Sequence, residues 1–308
     1  MYHKTPENNV TKHESPLPYL ITRMGAGLID LVFVLLTFIA LQALSFQTVY
    51  HQLGYHSALV TAKNILADSG LFNVNENGEY LSLVDSYEEE ADVITYYEVP
   101  LIQYFSTNPR AIKNNLLINY EQAKISSRLF YLDIDNQIKV ADNTSQESLR
   151  LFFEIQIKKA IIFLENDPIY RDNAQKAFLI TIFSYLTCGT LSFLIFYLLI
   201  SLFTKDSTTI GQKLFKMGLM DVRVAAKATK NQVLVRFIVL VILNFWIPLL
   251  WYARVAYLSV FPILITLITI VLTKKNQGIH GMISATQIVS TRDVEIPKRE
   301  IVKTIAKN

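Results

Sequence analysis

The 308-residue chain contains a single cysteine, Cys188. An intrachain disulfide is therefore excluded, and any large region outside the cell must hold together by packing alone. Charge is also scarce. Charged residues make up 18% of the chain, where soluble chains carry nearer a quarter, and 51% of residues are hydrophobic. The sequence has no Gly-rich phosphate loop, no His/Cys metal cluster and no nucleophile elbow. No catalytic constellation is visible, so we expect neither an enzyme nor a bound cofactor.

Long apolar runs are what the chain has in quantity. Gly25–Ser45, Ala177–Phe203, Val233–Trp251 and Val255–Thr273 are each long enough for the roughly 20 residues that cross a bilayer. The first is preceded by a long charged lead and followed by "ALSFQ", a poor cleavage site, so it reads as a retained helix and not as a signal peptide. The third is interrupted only by Arg236, Asn244 and Pro248. It is so close to the fourth that the two are expected to form a tight helical hairpin, with Pro248 kinking the outer end of the third. The fold expected is an all-α polytopic membrane protein with four transmembrane helices, at about 25–46, 177–203, 233–251 and 255–273.

Charge sets the expected orientation. Residues 1–24 carry 3 basic and 2 acidic residues, 47–176 carry 11 and 18, 204–231 carry 6 and 2, and 274–308 carry 7 and 3. Short basic loops stay in the cytoplasm, whereas long domains translocate regardless of charge. Both termini and the 204–231 loop are then inside, and the acidic 47–176 segment is outside. Trp246, Trp251, Tyr252 and Tyr257 fall near the outer hairpin tip at Arg254, as interfacial aromatics should. The basic parts face an anionic inner leaflet, and nucleic acid need not be invoked as a partner. The division expected is a cytoplasmic tail (1–24), a first helix (25–46), an extracytoplasmic insertion (47–176), a membrane domain (177–291) and a second cytoplasmic tail (292–308).

The insertion reads as mainly helical. Residues 60–72, 91–106 and 110–130 have apolar residues at helical spacing. Residues 129–142 alternate around Asn136 and suggest a short β-hairpin. Residues 145–166 open with Ser145, carry Glu147 and form a capped helix that leads into the second span. Asp133, Asp135 and Asn136 resemble the start of a calcium loop, but the glycine and distant glutamate are missing. "EEEAD" at 88–92 reads as the solvated start of a helix. His51 and His56, five residues apart, do not share a helical face and read as surface residues.

An acid within a membrane-length run needs an explanation. Arg23, Ala26, Gly27 and Asp30 fall on one helical stripe, whose alanine and glycine would let a neighbouring helix approach closely. A lone carboxylate in hydrocarbon costs several kcal/mol, so Asp30 is expected to face protein. Arg236 is the expected partner. Such a pair would be either a structural pin or a proton or cation relay. Asn244 and Thr187 would add polar contacts deeper in the bundle.

"ITRMGAGLID" (21–30), "TIGQKLFKMGLMDV" (209–222), "LVRF" (234–237) and "NQGIHGMISATQIV" (276–289) together resemble the RDD family of bacterial membrane proteins. The resemblance covers roughly 18–46 and 177–291. It maps the family's arginine and first aspartate onto Arg23 and Asp30, the arginine of a later helix onto Arg236, and its cytoplasmic motifs onto Thr209, Gly211, Lys213, His280 and Thr286. At the second aspartate this chain has Gly281. The family is thought to include transport-related proteins, and some members work beside other membrane proteins. Lys213 and Lys216 read as lipid anchors. His280 reads as a buried histidine bonded to a backbone carbonyl or as a switch near pH 6.5. The resemblance implies a bacterial plasma-membrane protein. Two functions fit it: an accessory or sensing protein, or a small oligomeric transporter using Asp30 and Arg236. The partners expected are the lipid bilayer and either a membrane or envelope protein or further copies of the chain.

Overall fold

The computed structural model describes residues 17–88, 91–252, 260–273, 277–292 and 295–297. By backbone contacts the chain divides into two compact units, 1–47 with 182–308, and 48–181.

Helix α1 (Leu20–Ser45) has no proline in its interior and passes into a π-helical turn at Phe46–Tyr50. Its buried residues, Ala26, Asp30 and Val34, recur every four positions, and Leu28, Leu35, Leu36 and Ile39 on other faces are exposed. A helix that exposes leucine and isoleucine along its length is built for an apolar solvent.

The 48–181 unit begins with α2 (Tyr55–Ser69), set between glycines in the left-handed conformation, Gly54 and Gly70. Strands β1 (Phe72–Val74) and β2 (Tyr80–Ser82) follow as an antiparallel hairpin, with Gly78 at φ 75° in its turn. Helix α3 (Val93–Thr107) is capped by Asp92, whose carboxylate accepts from the Thr95 amide at 2.8 Å. The helix expected over 110–130 is two, α4 (Pro109–Lys113) and α5 (Leu116–Ser126), because Asn115 between them stands at φ 54°. Asparagine tolerates that left-handed geometry, and a helix cannot continue through it. Strands β3 (Phe130–Leu132) and β4 (Ile138–Val140) form the hairpin around Asn136, itself at φ 58°. Helix α6 (Gln146–Glu165) is capped by Ser145, which accepts from the Ser148 amide. The core of the unit joins Tyr97 and Leu101 of α3 to Phe153 and Ile157 of α6, all fully buried. The Tyr97 and Phe153 rings stack at 6.2 Å.

Helix α7 (Pro168–Phe193) continues through a π-helical turn (Leu194–Leu199) into α8 (Ile200–Phe203). Next come the single helical turn α9 (Ile210–Leu214) and strands β5 (Met217–Asp221) and β6 (Ala226–Lys227). Helix α10 (Lys230–Val241) passes through a π-helical turn (Ile242–Trp246) into α11 (Ile247–Tyr252). The wide turn lies where Pro248 would otherwise clash with the carbonyl four residues back, and the Ile247 amide reaches Ile242 O instead. Helix α12 (Phe261–Leu272), the short α13 (Ile279–Ile283) and strand β7 (Thr286–Ser290) follow.

Among the described residues, three stretches are long and apolar enough to cross a membrane: Leu20–Tyr50, Pro168–Phe203 and Lys230–Tyr252. The fourth run contributes the described helix Phe261–Leu272, and residues 253–259 and 274–276 on either side of it lie outside the described residues. The expected hairpin tip, with Arg254 and Tyr257, lies outside the described residues. The fold is mostly helical but not all-α. Beside the two hairpins, β5 is the centre of a three-stranded antiparallel sheet in the order β6-β5-β7, with Met217 opposite Ser290 and Asp221 opposite Thr286. All five residues of β5 are buried. The sheet thus ties the 204–231 loop to the segment after α12.

Candidate functional site

Two polar groups form in the membrane unit, one where α9 meets α1 and one where α10, α13 and β7 meet. The first starts with Thr209. Its hydroxyl caps α9 by accepting from the Gln212 amide, and the Gln212 side chain accepts from the Thr209 amide in return, a reciprocal capping box. The Thr209 hydroxyl proton is then available to a third group, and it goes to Asp30. Thr209 Oγ1 donates to Asp30 Oδ2 at 2.5 Å, and the Gly211 amide donates to Asp30 Oδ1 at 2.8 Å. Both carboxylate oxygens are thus engaged by the start of α9. That is the favourable place for an anion, since the first amides of a helix have no partners within it.

The expected Asp30–Arg236 pair is not formed. Arg236 Nη1 donates instead to Thr286 Oγ1 at 3.0 Å. Its helix packs against α13 and not against the face of α1 that carries Asp30. The reason is a matter of fold. The 204–231 loop, expected to lie free in the cytoplasm, folds back onto α1 and takes the carboxylate first.

The close approach expected at Gly27 is made from the opposite side. Gly27 is exposed, and a Cβ added there would meet nothing within 4 Å. A Cβ added at Gly211 would lie 2.1 Å from the Ala26 carbonyl oxygen. Contact with backbone leaves no side chain to move aside, so this position requires glycine. Ala26, Asp30, Thr209 and Gly211 are brought together as one contact, with Arg23 on the same helix one turn before Ala26. Lys213 and Lys216 are exposed, as is Leu214, which suits a segment lying at a headgroup surface.

The helical stretch Leu20–Tyr50 is 31 residues long, about 46 Å at 1.5 Å per residue. The stretch is thus longer than the roughly 30 Å of hydrocarbon, and α9 covers its face at Ala26 and Asp30. Asp30, 2% exposed, is covered by protein.

A second polar group gathers around Thr286, which is fully buried. Its hydroxyl receives Arg236, lies 2.7 Å from Ser284 Oγ, and its carbonyl accepts from Gln277 Nε2 at 2.7 Å. Ser284 Oγ donates to His280 O at 2.7 Å. His280 is next to Gly281, but among the described residues its side chain is bonded to no backbone carbonyl, and Nδ1, shut off from solvent, has no hydrogen-bond partner there. Burial holds its pKa well below the usual histidine value, and Arg236 and Arg23 push it further down. Those causes favour the neutral imidazole over the protonated one and disfavour a switch near pH 6.5.

Gln212, Ser284 and Gln277 were not singled out from the sequence. The T-x-x-Q spacing at Thr209 could have identified Gln212, and the same box recurs at Thr229 and Gln232 ahead of α10. Polar contacts deeper in the spans also differ from expectation. Asn244 donates to Leu240 O of its own helix and Thr187 is exposed, whereas Ser45 Oγ lies 2.9 Å from Ser184 Oγ and Ser184 reaches Gln42 Oε1. Trp246 Nε1 donates to Thr190 Oγ1.

In the 48–181 unit, Asp133 is not available as a calcium ligand. Its carboxylate accepts the Asp135 and Gln137 amides and pairs with Lys139. Those contacts, Lys139 foremost, hold its pKa below the usual range. A groove of about 490 Å³ opens between α3, α5 and the β3–β4 hairpin, walled by Ile102, Leu117, Ile118 and Leu132, with a buried Glu98–Lys124 ion pair in its lining. Lys124 Nζ also sits 4.7 Å from the centre of the Phe130 ring.

No curated protein and no solved structure matches the chain. Residues 151–285 match the model of the RDD family. The matched stretch begins within α6, earlier than the residue 177 boundary expected, and leaves out α1 with Arg23 and Asp30. An RDD family domain at residues 151–285, together with three helices long and apolar enough to span a bilayer, fits a membrane protein.

Proposed function

We propose that this is a bacterial plasma-membrane protein of accessory, anchoring or sensing type, multi-pass, with both termini cytoplasmic and no enzymatic activity. Its acidic 48–181 unit lies outside the cell and binds a membrane or envelope partner. The observation that carries this reading is the engagement of Asp30. A proton or cation carrier needs an acid that can exchange its load, and this carboxylate has both oxygens held by Thr209 and Gly211. Those bonds favour a structural role for Asp30. The 48–181 unit has its own core and a groove lined by isoleucines and leucines around an ion pair, which suits recognition better than mere connection of two helices.

The second reading is a small oligomeric transporter or antiporter working at Asp30 and Arg236. It is favoured by the polar contact of Gln42, Ser45 and Ser184 within spanning stretches, since intramembrane polar groups often mark pathways. Affinity purification from native membranes in mild detergent separates the two, using the intact chain and a chain with residues 50–174 replaced by a short linker. A stoichiometric partner that is lost with those residues is expected. A homo-oligomer with no partner, whose cation flux in liposomes disappears in Asp30→Asn, would instead establish the transporter.

A further inference from the structure

The groove of the 48–181 unit has negative charge left over. In its lining, Glu98 Oε1 accepts from Tyr120 Oη at 3.3 Å and from Lys124 Nζ. Lys124 is 7% exposed, and its ammonium also faces the Tyr120 and Phe130 rings. The other oxygen, Glu98 Oε2, accepts no hydrogen bond among the described residues, yet it is not shut off from solvent. Glu121 is exposed and enters no ion pair among the described residues. The lining thus holds two carboxylates against one ammonium, a net charge of −1. The surrounding segment 47–176 is acidic as well, with 18 acidic residues against 11 basic.

The walls are apolar. Ile102 of α3, Ile118 and Ile125 of α5 and Leu132 of β3 are 41%, 51%, 42% and 48% exposed. Four aliphatic side chains left half-exposed around one groove differ from apolar residues scattered singly over a surface. On α5, Ile118, Glu121, Gln122 and Ile125 are all exposed, and their spacing puts them on one helical face. Ile118 and Ile125 are about 10 Å apart along the axis, and Glu121 stands between them.

Charge decides what covers this face. A purely apolar partner would take water from Glu98 Oε2 and Glu121 and return no counter-charge. An acidic partner would be repelled. A basic side chain flanked by aliphatic ones satisfies the carboxylates and covers the walls together. A helix with aliphatic residues at i and i+7 and a lysine or arginine at i+3 or i+4 carries them at the same axial steps as α5.

We propose that the groove between α3, α5 and the β3–β4 hairpin docks an amphipathic helix of a partner protein, with a basic residue at the centre of that helix's apolar face. The cation faces Glu121 and Glu98 Oε2, and the aliphatic residues pack on Ile118, Ile125 and Leu132. This docking rests on the reading of the 48–181 unit as the part that binds a partner, and it gives that partner's chemistry.

The full chain in phosphatidylcholine nanodiscs is titrated into a fluorescent helical peptide of about 20 residues, followed by anisotropy, with empty nanodiscs as the blank. The peptide is built of alanine and glutamine and carries leucine, lysine and leucine at i, i+4 and i+7. Two matched peptides carry glutamine or glutamate at i+4. The lysine peptide is expected to bind about tenfold more tightly than the glutamate peptide, or better, with glutamine between. Glu121→Gln is expected to remove most of that preference, and Ile118→Ser to weaken all three peptides. Both residues are exposed, so these variants keep the fold. Glu98→Leu with Lys124→Met removes Oε2 and is expected to weaken the lysine peptide as well.

No binding above the blank, equal affinity for the three peptides, or a preference undiminished in Glu121→Gln overturns the proposal. So does displacement of the peptide by butylamine at equal concentration, which identifies a small-amine site. A dimer of the chain that Ile118→Ser dissociates also overturns it, because the occupant is then a second copy. Purification from native membranes separates the groove from the wider reading. A partner lost with residues 50–174 but kept by the Glu121→Gln, Ile118→Ser double variant overturns the groove alone. A partner kept without residues 50–174 overturns the wider reading, and the peptide titration still decides the groove.

Discussion

Asp30, near the start of the first apolar stretch, is hydrogen-bonded to Thr209, the residue that caps a single helical turn 179 positions later in the chain. This contact joins two segments that the sequence places on either side of a 134-residue compact unit (48–181). It also explains how a membrane-length helix can carry an acid. The carboxylate occupies the place of a helix cap partner and is never presented to lipid. Several consequences can be measured.

Gly27 and Gly211 should behave in opposite ways. Gly211→Ala drives a methyl into the Ala26 carbonyl, and overpacking of this kind costs about 1–3 kcal/mol. Gly27→Ala places its methyl in open space on a helix and should be stabilising by up to about 1 kcal/mol. Unfolding of both variants in the same detergent checks the pair; a loss of stability in Gly27→Ala alone would reverse the assignment of which glycine makes the contact.

His280 predicts a specific pH dependence. Its folded-state pKa lies well below the ordinary histidine value, because of burial first and then Arg236 and Arg23. The unfolded chain therefore binds a proton near pH 6.5 that the folded chain refuses. The associated stability is intact above about pH 6.5 and is lost as pH falls below it. His280→Gln should remove that part of the slope between pH 7.5 and 5, measured as the difference between the two unfolding curves. Identical slopes would show that the imidazole is not held neutral.

In the 48–181 unit, Lys124 and Glu98 form a largely buried ion pair in the lining of the groove. Glu98→Gln leaves the ammonium uncompensated and should cost about 3–5 kcal/mol, whereas replacing both partners by Glu98→Leu with Lys124→Met should be near neutral. Hydrogen exchange at the α3 and α6 amides reports this locally. Equal protection loss in the single and double variants would mean that the pair's value lies in packing and not in charge.

Much of the architecture could be read from residue patterns. The apolar runs, the caps at Ser145 and Asp92, and the hairpin at Asn136 each have a local cause, so a local signal reveals them. The same holds for the expectation that Asp30 faces protein, because the cost of leaving a carboxylate in hydrocarbon does not depend on the fold. Its partner was not legible. Thr209 and Gly211 were marked as a motif, but nothing in the sequence says that their loop folds back onto α1. Strand β5 pairs with β7 across more than 60 residues, and five-residue strands with no alternation carry too little pattern to reveal such a pairing. The break at Asn115 was missed because the flanking residues keep helical spacing across it.

The central claim is that Asp30 pins α1 to the start of α9. The measurement that tests it most directly is a double-mutant cycle of Asp30→Ala and Thr209→Val, read from unfolding in one detergent. Each single change should cost about 1–3 kcal/mol, since each leaves a buried polar group without its partner. A coupling energy of about 0.5–3 kcal/mol is predicted, because the second change then has less left to break. Strictly additive losses would mean that the two side chains do not depend on each other, and would return Asp30 to the role of an exchangeable intramembrane acid.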